Sequence, residues 1–147
     1  MPSLPHRGVT MDRILVDTNV ASYVMKNHPL AAVYRKHIHA RILCLSFVSV
    51  GEFYLGAERA GWGVERRRAL ERALGWYVVI PYDDDLARNY ARVVMGVRRI
   101  KRQIDYPDAW IAATALSHGL PLVTHNPRHF EAIAGLCVIT EADGSPN

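Results

Sequence analysis

Asp17, Glu52 and Asp108 are the residues of this chain best placed to do chemistry. Asp17 follows the apolar run Ile14-Leu15-Val16. Glu52 comes shortly after Ile42-Leu43-Cys44-Leu45-Ser46-Phe47, and Asp108 opens the alanine-rich run Ala109-Trp110-Ile111-Ala112-Ala113. In an open parallel α/β sheet the strand C-termini share one edge, and ligands bind along it. Carboxylates gathered there repel one another unless a cation joins them. A hard divalent ion such as Mg²⁺ takes oxygen ligands of this kind, and Mn²⁺ prefers similar sites. The chemistry that these residue types suggest is therefore metal-assisted.

Each acid also has a plainer reading. Asp17, in Val16-Asp17-Thr18-Asn19, fits the N-cap of the following helix. Ser49-Val50-Gly51-Glu52 fits a capping box, in which the Glu reaches back to the N-cap amide, and taken alone that reading is the stronger for Glu52. Asp108 follows Pro107 in what reads as the first turn of a helix, where an acid suits the dipole. Yet Ile111, Ala112 and Ala115 stand three, four and seven residues on, which places Asp108 on the apolar face. An unpaired carboxylate there costs on the order of several kcal/mol, a cost that a cation removes. Asp83, Asp84 and Asp85 read as a cap and dipole cluster, and Asp105 as an upstream turn or cap residue near the site rim.

The elements that must position these acids follow from periodicity and punctuation. Strand-like runs occupy Arg13 to Val16, Ile42 to Phe47, Tyr77 to Ile80, Leu120 to Val123 and Leu136 to Ile139. Helical patterns run from about Val20 to Lys26, Leu30 to His39, Ser49 to Ala60, Val64 to Leu74, Asp84 to Lys101 and Pro107 to His118, with a short one after Asn126. Gly61-Trp62-Gly63, Gly75 and Gly119 with Pro121 punctuate them. Strands separated by helices predict βαβ units, a mostly parallel central sheet of about five strands, and helices on both faces. This is an α/β class, three-layer α/β/α arrangement.

Composition sets bounds on this reading. The 147 residues suffice for one domain with a real core, and half are hydrophobic, which argues against disorder. No apolar run reaches the ~20 residues of a membrane span. Residues 1–10 have no apolar stretch of a secretory signal and read as a loose N-terminal extension; Met11 is a second candidate start. The domain is expected over residues 11–141, with a frayed tail at 142–147. Cys44 and Cys137 lie in apolar runs and read as small core residues of a reducing, cytoplasmic protein. The net charge of +4 is compatible with a polyanionic partner. Arginines and a lysine cluster at Arg66-Arg67-Arg68 and Arg98-Arg99-Lys101-Arg102. They read first as solvated helix faces, and alternatively as phosphate contacts beside the acids. His125 and His129 are four apart, but Pro127 stands between them and no third strong ligand stands beside them, so zinc is not expected.

Four segments together resemble the PIN-domain family of metal-dependent nucleases, specifically its toxin branch, VapC. They are Met11 to Val20 with Asp17-Thr18-Asn19, Phe47 to Gly56 with Glu52, Asp108 to Ala115, and Leu122-Val123-Thr124-His125-Asn126-Pro127-Arg128-His129-Phe130. The likeness runs from about Met11 to Thr140. It implies a Mg²⁺-dependent endoribonuclease in which Asp17 and Asp108 are the principal metal ligands and Glu52 completes the acidic pocket. Thr18, Asn19, Thr124 and Asn126 would position the metal shell or substrate. Many members carry a fourth acid where this chain has Asn126; toxin members often have Asn there. The resemblance further implies an RNA substrate, often a transfer RNA, a VapB-type antitoxin whose C-terminal segment covers the site, and a homodimer.

Three other readings stand beside it. A non-catalytic RNA-binding module of the same fold would use the acids only as caps. A nuclease of RNA maturation or decay would share the chemistry without the toxicity. A phosphatase of the haloacid dehalogenase type needs a second Asp two residues after the first, and that position is Asn19.

Overall fold

The computed structural model describes residues 12–143. The N-terminal extension expected at 1–10, Met11, and residues 144–147 of the expected tail lie outside the described residues.

The strands are β1 (Arg13–Val16), β2 (Ile42–Ser46), β3 (Val78–Ile80), β4 (Leu122–Val123) and β5 (Val138–Ile139). They form one sheet in the order β3-β2-β1-β4-β5, and each neighbouring pair is parallel. The helices are α1 (Thr18–Met25), α2 (Pro29–Ile38), α3 (Phe47–Arg59), α4 (Val64–Leu74), α5 (Asp84–Arg99) and α6 (Tyr106–His118), with a 3-10 turn over Pro127–His129.

β1 is central: after the exposed Arg13 its side chains are apolar without alternation, as a strand covered on both faces requires. Ile14, Leu15 and Val16 are buried. Alternate residues serve opposite layers. Ile14 and Val16 pack with Val20, Ala21, Tyr34, Ala57, Leu70 and Leu74 from α1 to α4. Leu15 packs with Val93 of α5 and Ala109, Ile111, Ala112 and Ala115 of α6. The small residues of α6 let it lie against the sheet. Trp110 fixes its roll by stacking on Tyr90 of α5 at 4.0 Å and meeting Phe47 of α3 edge-on at 5.7 Å.

The chain leaves β1 toward β2 and β3 on one side, then returns to place β4 on the other. The strand order therefore reverses between β1 and β4, and a crevice opens beyond their C-terminal ends. Asp17 immediately follows β1 and Thr124 immediately follows β4.

Element order matches the expectation, while several ends differ for identifiable reasons. β2 stops at Ser46 because the Ser46 hydroxyl accepts from the Val48 amide (3.2 Å) and caps α3, which thus begins at Phe47 rather than Ser49. β4 is shorter than Leu120 to Val123. Gly119 takes a left-handed conformation (φ 61°), and the Leu120 amide donates back to the Ala115 carbonyl (2.9 Å), closing α6. Cys44 is buried as expected. Cys137 is a correction: it precedes β5 and is exposed, because the chain turns at Gly135 (φ 79°) before pairing resumes. Both thiols are free. No described helix is long and apolar enough to cross a membrane.

Candidate active site

Asp17 ends β1 in extended conformation and is 5% exposed. Its Oδ1 accepts from the Thr18 amide (2.8 Å) and its Oδ2 from the Thr124 hydroxyl (2.6 Å). Thr124 is fully buried and its Oγ1 also accepts from the Asn126 amide (3.0 Å). One hydroxyl thus fastens the β4 loop to the carboxylate of β1. Asp17 caps α1, as its N-cap reading expects, and it also faces the crevice.

Glu52 does not close a capping box. Ser46 caps α3, so Glu52 lies well inside the helix, and Ser49 is turned elsewhere. The Thr18 hydroxyl donates to Glu52 Oε1 (2.8 Å), and with its only hydrogen so used it accepts from Ser49 Oγ (2.7 Å). Thr18 therefore holds Asp17 through its backbone amide and Glu52 through its side chain.

Asp108 sits in the first turn of α6, on the side expected from its spacing, with its side chain 18% exposed. Its Oδ2 lies 3.1 Å from His129 Nδ1. Asp105 is the N-cap residue of α6 by position but makes no side-chain cap bond. Asp17, Thr18, Asn19, Glu52, Asp105, Asp108, Asn126 and His129 line one polar cleft of ≈ 200 Å³. All seven residues singled out from the sequence reach this cleft or its wall. Asn19 is exposed at its mouth; Thr124 stands behind it, on Asp17.

The electrostatics are those of crowded acids. Burial pushes the Asp17 carboxyl above its ordinary range, against the hydrogen bonds from Thr124 and Thr18 and the pull of His129. Burial pushes Asp108 up to about 6, opposed by His129 and assisted by the Asp17, Asp105 and Glu52 carboxylates. The donors are hard oxygens of raised basicity, which fits a divalent cation of the Mg²⁺ kind. Among the described residues no three such side chains converge tightly enough to form a complete metal cage. A cation bridging Asp17, Glu52 and Asp108 would retain much of its water, as Mg²⁺ commonly does.

Two contributors were not singled out by sequence. By spacing alone His129 offers only a zinc partnership with His125; the structure separates the two. His125 Nδ1 meets the Tyr34 hydroxyl at 2.6 Å, whereas His129 turns to Asp108. The position of His129 in the last motif was the one available signal. Tyr34 gave none. It is fully buried in α2, and its hydroxyl also lies 3.3 Å from the Thr124 carbonyl and accepts from the Glu141 amide (3.1 Å). It thereby braces the loop carrying Thr124 and Asn126 from a distant helix.

Several known proteins are similar to this chain in sequence and fold. The PIN domain family profile matches residues 14–136. The chain is 31% identical to Ribonuclease VapC2 of Haemophilus influenzae over 126 residues, covering 86% of this chain and 96% of that one. It is 29% identical to the tRNA(fMet)-specific endonuclease VapC of Shigella flexneri, with the same coverage. The structure of VapBC-1 from nontypeable Haemophilus influenzae superposes with a TM-score of 0.75 at 28% identity, covering 87% of this chain and 97% of that one.

Proposed function

Because the chain belongs to the PIN-domain family, and within it to the VapC type, we propose that it is a divalent-metal-dependent endoribonuclease and the toxin of a toxin–antitoxin pair. The observation that carries the reading is the cleft at the β1–β4 reversal. There Asp17, Glu52 and Asp108 face a shared space while Thr18 and Thr124 hold the first two in place.

Asp17 and Asp108 would be the principal ligands of a Mg²⁺ ion, with Glu52 completing the set; Mn²⁺ is chemically similar. When bound there, the cation would lower the pKa of water and offset charge developing on the phosphate and leaving oxygen. The chain's own residues supply the rest. Asp17 is the fixed point, since both its oxygens are already oriented by donors on two strand ends. Glu52 has one oxygen tied to Thr18, leaving Oε2 to accept a proton from the attacking water. Asp108, at about 6, is mostly ionised at neutral pH and ready to face a cation. Asn19 and Asn126 offer amide donors to a phosphate oxygen at the mouth. In-line attack by water leaves a 5′-phosphate and a 3′-hydroxyl.

The substrate class proposed is structured RNA, transfer RNA in the first instance, in keeping with the Shigella flexneri relative. The partner proposed is a VapB-like antitoxin whose C-terminal segment covers the cleft, with the toxin itself a homodimer. The test uses purified, antitoxin-free protein and total cellular RNA with Mg²⁺, beside EDTA and Asp17→Ala lanes. Discrete products that vanish in both controls are expected. Cleavage that survives the chelator in pure protein would sink the metal mechanism.

A further inference from the structure

The 3-10 turn Pro127–His129 is a ridge between cavities. His129 borders the acidic cleft, a ≈ 610 Å³ cavity on one side and a ≈ 310 Å³ cavity on the other; Arg128 borders the latter two. The ≈ 310 Å³ cavity is bounded by the ridge, by Asp105 and Asp108 of the acidic cleft, and by the linker between α5 and α6, which contributes Arg102 and Gln103. It thus shares Asp105, Asp108 and His129 with the acidic cleft as a common border, and Arg102 and Arg128 line it elsewhere.

The linker is shaped to deliver Arg102 there. α5 ends at Arg99, and Lys101 takes a left-handed conformation (φ 60°) while the Arg102 amide donates back to the Val97 carbonyl (3.2 Å). The chain reverses, and Arg102 meets Glu131 beyond the ridge at 2.8 Å. Both side chains of that pair are about half exposed (45% and 54%), so the carboxylate is readily exchanged for another anion. Arg128 is exposed and makes no ion pair among the described residues. The other basic clusters differ in place: Arg67 meets Glu58 and the Trp62 carbonyl, Arg66 lies over the Trp62 ring, and Arg88 pairs with Asp84 on α5. None of these borders the cleft or its two flanking cavities.

We infer that the ≈ 310 Å³ cavity beside the acidic cleft is a backbone-phosphate subsite, in which Arg102 and Arg128 grip a phosphate of the RNA strand adjoining the one to be cut. The inference rests on the nuclease reading above. Paired guanidinium forks suit a phosphate's several oxygens, and contacts of this kind set the register of a strand without reading its bases. The division of labour is spatial. The acids hold the cation and the scissile group, and the arginines hold the strand so that only one phosphodiester reaches them. The half-exposed Arg102–Glu131 pair gives way when RNA displaces the carboxylate.

The test is RNA affinity in a chain that cannot cut. Asp17→Asn protein in Mg²⁺ buffer is titrated against fluorescein-labelled bulk transfer RNA at several salt concentrations. The titration is repeated with Arg102→Ala, Arg128→Ala, Arg128→Lys and, as a control, Arg68→Ala, a separate exposed residue on α4. Arg102→Ala and Arg128→Ala should each weaken binding on the order of fivefold and lower the slope of log affinity against log salt by about 1. Arg128→Lys should keep the slope while losing part of the affinity. Arg68→Ala should match the parent, and thermal midpoints should agree for all. Parent-like affinity and slope in both alanine variants would overturn the subsite alone, as would occupation by an acidic peptide instead of RNA. Failure of the parent to bind RNA at any salt would overturn the subsite together with the nuclease reading.

Discussion

Asp17 and Asp108 face the same cleft, but the two walls that carry them are built differently. Asp17 stands on the strand wall, 5% exposed, with each oxygen taken by a donor from a different segment. Asp108 stands on the helix wall beside Glu52, partly exposed, and its recorded partner is a half-exposed His129. The strand wall is over-determined: the Asp17 amide also donates to the Val123 carbonyl (2.9 Å), so backbone and side chain lock the same two strands. The helix wall is held at fewer points and can adjust. On the nuclease proposal, this contrast would give a bound cation one fixed carboxylate and others that yield.

The sharpest way to break this comparison is Asp17→Asn. The amide keeps the shape but not the charge, and cleavage should fall about a thousandfold, the loss of several kcal/mol of transition-state stabilisation. In the metal-free protein, relief of the buried charge should offset part of the stability lost when the Thr124 hydroxyl faces an amide nitrogen instead of a carboxylate oxygen. Activity above a tenth of the parent's would show that the strand wall is not the anchor.

Asp108→Asn should cost less, about a hundredfold, and should reveal itself in pH dependence. The folded-state value of Asp108, about 6, lies above its ordinary 3.8. Its contribution to stability is therefore fully present below pH ~3.8 and is lost as pH rises through ~6. In EDTA, the thermal midpoint of the parent relative to Asp108→Asn should fall across that window. A constant difference from pH 4 to 7 would mean that burial and the neighbouring acids do not act on Asp108.

The smallest effect tests the clasp between the strands. Thr124→Val removes the donor to Asp17 Oδ2 and the acceptor for the Asn126 amide while keeping the volume. Stability should drop by about 1–3 kcal/mol in denaturant titration, and metal affinity on the order of tenfold, the usual toll for a residue that orients a ligand. If Thr18→Val costs as much as Thr124→Val in metal affinity, the two walls are equally rigid and the contrast fails.

Much of this was legible along the chain. Period and punctuation located five strands and six helices in the right order, because the apolar Ile14-Leu15-Val16 of β1 and an amphipathic α5 can bury their side chains in few ways. Asp17, Glu52 and Asp108 were identifiable from where apolar runs stop. Glu52 shows the limit of local reading. The capping-box pattern at Ser49 is a valid local signal, but Ser46 starts the helix three residues earlier and leaves Ser49 free to serve Thr18. His129 and Tyr34 show the same limit at longer range. Their partners Asp108 and Thr124 lie on other elements, and no local spacing rule connects residues separated by a whole helix and strand or more.

The sequence alone determined which elements exist, which faces are apolar and which acids end them, since each depends on neighbours within a few residues. Tertiary structure alone decided that β4 pairs beside β1 and so brings Thr124 onto Asp17. It also decided that the reversal at Lys101 brings Arg102 to the cavity that Arg128 lines, next to the acidic cleft. Those outcomes depend on strand order and chain reversal, which minimise exposed apolar surface over the whole molecule and leave no mark in any short window of residues.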